Sequence, residues 1–146
     1  MQIRFAAVIP VVLTIACITG CSSPSSAPRQ QGSMPVGTAE VTVNDQKLAT
    51  SKSVACSIEQ ATTTIQTGDD NAGTTVIVDN SGKPVARSVV IRNLGGFTGS
   101  YSQDLGPSAD VKWTGRTVTV AGTADGFNAD NPSVRATGQF SIAVSC

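Results

Sequence analysis

Four cysteines, at positions 17, 21, 56 and 146, are the residues of this sequence best suited to covalent chemistry. A thiolate can be acylated, can hold a metal or can pair with a second cysteine. No C-x2-C spacing joins these four, so a cysteine-based zinc site has no support. Histidine is absent, which removes the commonest general base and the usual imidazole ligand. A Ser-His-Asp triad and most catalytic zinc sites are thereby excluded. The acidic residues that gather are Asp69 and Asp70 in "GDDNAG" and Asp125 and Asp130 in "DGFNADN". Such residues in Gly/Asn-rich stretches most often form turns, their side chains bonding local backbone. Calcium ligation is the sharper reading, because loop oxygens suit that ion, although "DGFNADN" lacks the spacing of an EF-hand loop. An enzyme without histidine needs a lysine- or carboxylate-based mechanism, and no pairing for one is visible. The expectation is a non-enzyme with no catalytic residue, no metal and no dissociable cofactor.

The 146 residues suffice for one domain of ordinary size. Charged residues make up 14% and cancel to a net charge of zero, so no basic face is available to hold nucleic acid. Aromatics at 4% leave little for a base-stacking platform.

Each cysteine needs an element to position it. Arg4 precedes "FAAVIPVVLTIACI", an apolar run that ends in small residues, which is the layout of a secretory signal peptide. As a helix, residues 5–18 would span only about 21 Å, short of a hydrocarbon core of roughly 30 Å. At its end, Ile18-Thr19-Gly20-Cys21 resembles a bacterial lipobox, and "SSPSS" follows at once. That resemblance implies diacylglyceryl transfer to the Cys21 thiol, cleavage between Gly20 and Cys21, and acylation of the freed amine. Two other readings stay open: Cys21 as an ordinary disulfide cysteine, and the segment as an uncleaved anchor. Both leave the lipobox spacing as an accident. Two or three acyl chains, at ~0.8 kcal/mol per buried CH2, anchor stably where one would not. The expected location is the extracytoplasmic face of the cell membrane, or further out in the wall or at the surface, with the lipid as membrane anchor.

The chain then divides into residues 1–20 as signal, 21–38 as lipidated terminus and tether, and 39–146 as a β-domain. "SSPSSAPRQQGSMPVGT" has no apolar periodicity and too little apolar surface to offset ordering entropy. As a coil it would reach about 20 to 25 Å, and its serines could accept O-linked sugars. From residue 39 the texture alternates: "AEVTV", "KSVACSIE", "ATTTIQT", "TTVIVD", "ARSVVIRN", "ADVKW", "RTVTVAG" and "VRATGQFSIAVSC" read as strands. "NDQ" and "NSGKP" read as turns, the latter with Gly82 at a positive φ, and Thr114-Gly115 as a two-residue hairpin loop. The expectation is an all-β fold: an antiparallel sandwich or partly open barrel of about eight or nine short strands.

Cys56 and Cys146 fall on strands, at the parity of the apolar faces. In an oxidising compartment a bridge between them is the economical assignment, and two buried free thiols are the alternative. The bridge would close a loop of about 90 residues and contribute roughly 4 to 5 kcal/mol in the chain-entropy treatment.

"VTVAGTADGFNADNP" and the terminal "FSIAVSC" resemble the mycobacterial nineteen-kilodalton lipoprotein antigen family. The likeness extends to the layout: lipobox signal, low-complexity spacer, cysteine on an early strand and cysteine at the last position. It is clearest over residues 117–146. The resemblance implies an envelope lipoprotein without enzymatic activity, whose acylated Cys21 is an agonist of the host's Toll-like receptor 2. The spacer here is rich in serine and proline and poor in threonine, unlike the threonine-glycosylated spacer of that family.

Two non-enzymatic roles follow. One is a binding or structural lipoprotein with its β-domain displayed outward. The other is a carrier of envelope lipids or glycolipids, with an apolar cavity inside the β-domain. Trp113, Tyr101, Phe97 and Phe127 suit core packing better than a ligand groove, although "GGFTGSYS" could present Phe97 and Tyr101 at a surface.

Overall fold

The computed structural model describes residues 32–146. Cys17, the lipobox residues Ile18, Thr19, Gly20 and Cys21, and the first part of the tether lie outside the described residues.

Ten strands occur among the described residues: β1 (Thr38–Val43), β2 (Gln46–Lys47), β3 (Val54–Glu59), β4 (Thr62–Gly68), β5 (Gly73–Asp79), β6 (Val85–Leu94), β7 (Phe97–Ser102), β8 (Asp110–Thr114), β9 (Thr117–Asn128) and β10 (Asn131–Ser145). All pair antiparallel, in the order β2-β1-β10-β9-β7-β6-β5-β4-β3, with β8 branching from β9. The all-β fold is the one expected. The two strands beyond the expected number's lower end are the two-residue β2 and the glycine-bearing β7.

The branch arises because β9 is long. Its first half, Thr117–Ala121, pairs with β8, and its second half, Asp125–Asn128, pairs with β7. β10 follows β9 along nearly its whole length and pairs β1 through residues 140–145. The curled sheet then nearly closes. Gln46 and Lys47 pair with β1, Ser51 exchanges two hydrogen bonds with Ala39, and the same run continues as β3 against β4. One stretch of chain thus changes partner from one end of the sheet to the other, the usual way a strand turns a barrel corner.

Alternation decides which faces are buried. Val41 and Val43 of β1, Val118 and Val120 of β9, and Ile142 and Val144 of β10 point inward. They meet Ile65, Val76, Val89 and Ile91 from β4, β5 and β6. Apolar burial at ~25 cal/mol per Å2 is the main driving force for such a core. Phe97 is its largest fully buried side chain. Its ring lies over glycine: a Cβ at Gly99 or Gly138 would stand 2.6 or 2.7 Å from Phe97 ring carbons. The glycines of "GGFTGSYS" therefore make room for Phe97 inside and do not display it outside. Tyr101 is likewise buried, its ring tilted against Phe140 at 6.4 Å between centroids.

Three local expectations change. The β8–β9 hairpin loop is Gly115-Arg116, one residue later than expected, because Thr114 pairs with Thr117. Only Gly115, at φ +59°, takes the left-handed region, which fits a II′ loop. Gly82 is not in that region; Asp79 instead shapes the β5–β6 turn by accepting the Ser81 N–H at 2.8 Å. Asp125 lies on β9 and not in a turn, since the reversal falls at Ala129-Asp130. At the other end of β1, Asn44 (φ +49°) and Asp45 (φ +63°) make the two-residue loop to β2, residue types that tolerate this region.

Candidate functional site

Two surfaces bring chemistry-bearing side chains together. The first is the seam between β3 and the end of β10. β3 has a ladder on one side only, against β4, and almost all of it is exposed. Cys56 stands directly opposite Ile65, hence on the inward face, yet it is exposed beside its disulfide partner. That partner is Cys146, at a Cα–Cα distance of 6.1 Å, and the bridge spans 90 residues of sequence. Arg116 fixes the other side: its backbone carbonyl accepts the Cys146 N–H and its guanidinium donates to the Cys146 carbonyl oxygen, both at 3.2 Å.

Beside the bridge lies an open cleft of about 260 Å3, lined by Ile58, Thr63, Trp113 and Arg116 among others. Trp113 is held by its ring nitrogen: its Nε1–H donates to Asn80 Oδ1 at 3.1 Å, and Asn80 Nδ2 donates to Thr63 Oγ1 at 3.1 Å. This chain of hydrogen bonds ties β8 to β4 and the β5–β6 turn where no backbone ladder does. Ile58, at 72% exposure, leaves the cleft uncovered at its mouth. Val54, Cys56 and Ile58 alternate along β3 opposite the buried Thr67, Ile65 and Thr63 and so share the inward face, but that face is not a covered one.

The second surface is the outer side of β7, β9 and β10. Outward residues Thr123, Asp125 and Phe127 of β9 lie directly beside Gln139, Thr137 and Arg135 of β10, and Ser100 of β7 lies beside Asp125. Two clefts, of about 210 and 430 Å3, adjoin at Thr123. The loop carrying Leu105, Gly106 and Pro107 walls one end, and the Asn44-Asp45 turn walls the other. The alternation of polar residues in "TADGFN" and "RATGQF" was the available signal for this face, and it looks like any solvated sheet face.

Two of the other carboxylates, Asp69 and Asp79, serve the fold. Asp69 Oδ1 accepts the N–H groups of Asn71 and Ala72 at 2.8 and 2.9 Å, a turn-forming role. Those two bonds, with Arg92 nearby, hold its carboxyl below the usual range. Asp79 is held lower still by the hydroxyl and N–H of Ser81 and then by Arg87, with which it forms an ion pair. Among the described residues no three His, Cys, Asp or Glu side chains converge as a metal would require.

These features define a disulfide-closed all-β domain with a filled core and open surface clefts. The family described as Mycobacterium 19 kDa lipoprotein antigen matches over residues 32–146. The chain belongs to that family. A protein named as a lipoprotein from Mycobacterium avium subsp. hominissuis (strain TH135) is 40% identical over 147 residues, covering 100% of this chain and 97% of its own length. Lipoprotein LpqH of Mycobacterium avium is 28% identical over 158 residues, covering 99% of this chain and 97% of its own. The lipoprotein LppE of Mycobacterium tuberculosis is 27% identical over 145 residues, covering 98% of each. None of these names is enzymatic.

Proposed function

We propose that the chain is a lipid-anchored envelope lipoprotein with a non-enzymatic binding or structural role. In this reading Cys21 becomes the first residue after cleavage from Gly20 and carries the diacylglyceryl and N-acyl chains. These hold the protein on the extracytoplasmic face of the membrane, with residues 21–38 as the lipidated terminus and tether. The acylated terminus is also the part that a host Toll-like receptor 2 would recognise. The observation that carries the reading is the lipobox at the end of the apolar run, in a chain that belongs to a lipoprotein family. The domain's own chemistry supports it. A disulfide is its one covalent closure among the described residues, and this suits an oxidising compartment.

A carrier would need an enclosed apolar cavity, and the interior is occupied by Phe97, Ile91, Ile65, Ile142 and their neighbours. The binding or structural role is therefore preferred. The test is to express the full chain and Cys21→Ala in an actinobacterial host and fractionate the cells. The unaltered chain is expected with the membranes and in detergent extracts, and the variant is expected to leave that fraction. An unchanged distribution for Cys21→Ala contradicts the reading.

A further inference from the structure

We infer that the walled outer face of β7, β9 and β10 is a binding site for a neutral oligosaccharide. The side chains facing it are of the kind that recognise hydroxyl groups. Asp125 and Gln139 offer planar acceptors, Arg135 and Gln139 planar donors, and Thr123 and Thr137 hydroxyls able to do either. They are free to do so. The ion pairs among the described residues are Lys47–Glu40 and Arg87–Asp79, so Asp125 and Arg135 are both unpaired there. Gln139 uses its backbone N–H on Asn44 Oδ1 and leaves its side-chain amide available.

Charge selects among polar ligands. One carboxylate and one guanidinium sit on the strands, with Asp45 at the rim, so the face favours no strongly charged ligand. An acyl chain would strand these polar groups without partners, which disfavours it as an occupant. A sugar satisfies both donors and acceptors and presents an apolar C–H face as well. Phe127, at 38% exposure, stands directly beside Arg135 on the same outer face, next to the clefts rather than lining them.

Shape points the same way. The floor runs across three adjacent strands, β7, β9 and β10, or about 10 Å at ~4.8 Å between strands, and the walls stand beyond it on either side. That is an elongated groove with a wall at each end. Its polar side chains stand on paired strands, so a ligand would meet groups already in place.

This inference deepens the reading of the β-domain as a binding module and does not depend on the lipid. Its test uses the full lipoprotein, purified in detergent from an actinobacterial host, with maltotetraose, cellotetraose and mannotetraose as probes. Saturation-transfer NMR should detect at least one of the three at millimolar concentration, and titration should give its affinity. Asp125→Ala and Arg135→Ala should each weaken that affinity by about tenfold or more. Glu59→Gln on β3 should leave it unchanged, with circular dichroism confirming the fold in all three variants. No transfer to any probe, or an affinity in both groove variants unchanged from that of the unaltered chain, overturns the site. Membrane fractionation of the same preparations keeps the two readings apart: a membrane-bound protein that ignores all three sugars removes this inference and leaves the anchor intact.

Discussion

β10 and β3 belong to one sheet and are secured by different physics. β10 runs fifteen residues, pairs on both sides, and buries Phe140, Ile142 and Val144 against the core. β3 runs six residues, pairs on one side, and has Ile58 in solvent. Packing fixes the register of β10, because a one-residue slip would turn its apolar set outward. For β3 little apolar burial penalises such a slip, and the bond from Cys56 to Cys146 does the fixing. An exposed sheet edge invites pairing with other chains. Here the edge strand is short, is preceded by Lys52 and is tied across the seam. A covalent bond thus stands where the fold has least packing to offer.

The comparison can be broken from either side. The largest effect should come from the packed region: Phe97→Ala leaves a cavity above Gly99 and Gly138 and should cost about 3 to 5 kcal/mol in chemical denaturation. Next is the paired substitution Cys56→Ser with Cys146→Ser, expected to cost about 2 to 5 kcal/mol. Hydrogen exchange should then show early opening confined to β3 and the end of β10, while β9 stays protected. Uniform loss of protection would mean that the bridge holds the whole barrel. Ile58→Ser should change stability by no more than about 0.5 kcal/mol, since its side chain is already in water. A large loss there would place Ile58 in a packed interface.

The smallest effect is the pH dependence. Asp69 and Asp79 both ionise more readily in the folded protein than at the unfolded value of 3.8. Between the folded and unfolded values the unfolded chain binds more protons, so stability rises with pH there. Their contribution is complete above about pH 4 to 5 and is lost as pH falls through the folded values. Thermal unfolding of Asp79→Asn should therefore show a shallower acid limb than the unaltered chain. An unchanged slope would mean that Ser81 and Arg87 do not favour the charged form in solution.

The strands with strict alternation were legible in the sequence. Phe140, Ile142 and Val144 share the buried face that their spacing predicts, and "TTVIVD" and "ARSVVIRN" became β5 and β6. β7 was less legible because its glycines lower strand propensity, and their purpose appears only once Phe97 lies over Gly99 and Gly138. Cys56 was given the correct parity, but periodicity cannot separate an edge strand from a central one. The outer groove was hidden for a related reason. Asp125 reads as a turn former beside glycine, and Arg135, Thr137 and Gln139 fall in a stretch that reads only as a strand. Only the register of β9 against β10 sets them side by side. The proposed lipobox, Ile18-Thr19-Gly20-Cys21, would need no tertiary contact to be read, because a processing enzyme would meet it as sequence.

The most direct test of the account is the intact mass of the mature protein from an actinobacterial host, with peptide mapping before and after reduction. The account predicts a chain that begins at Cys21 and carries two or three acyl chains. It also predicts one peptide pair, joined through Cys56 and Cys146, that separates on reduction. A mature chain that begins elsewhere, an unacylated Cys21, or a Cys21 thiol found in a disulfide with either of the others would contradict it.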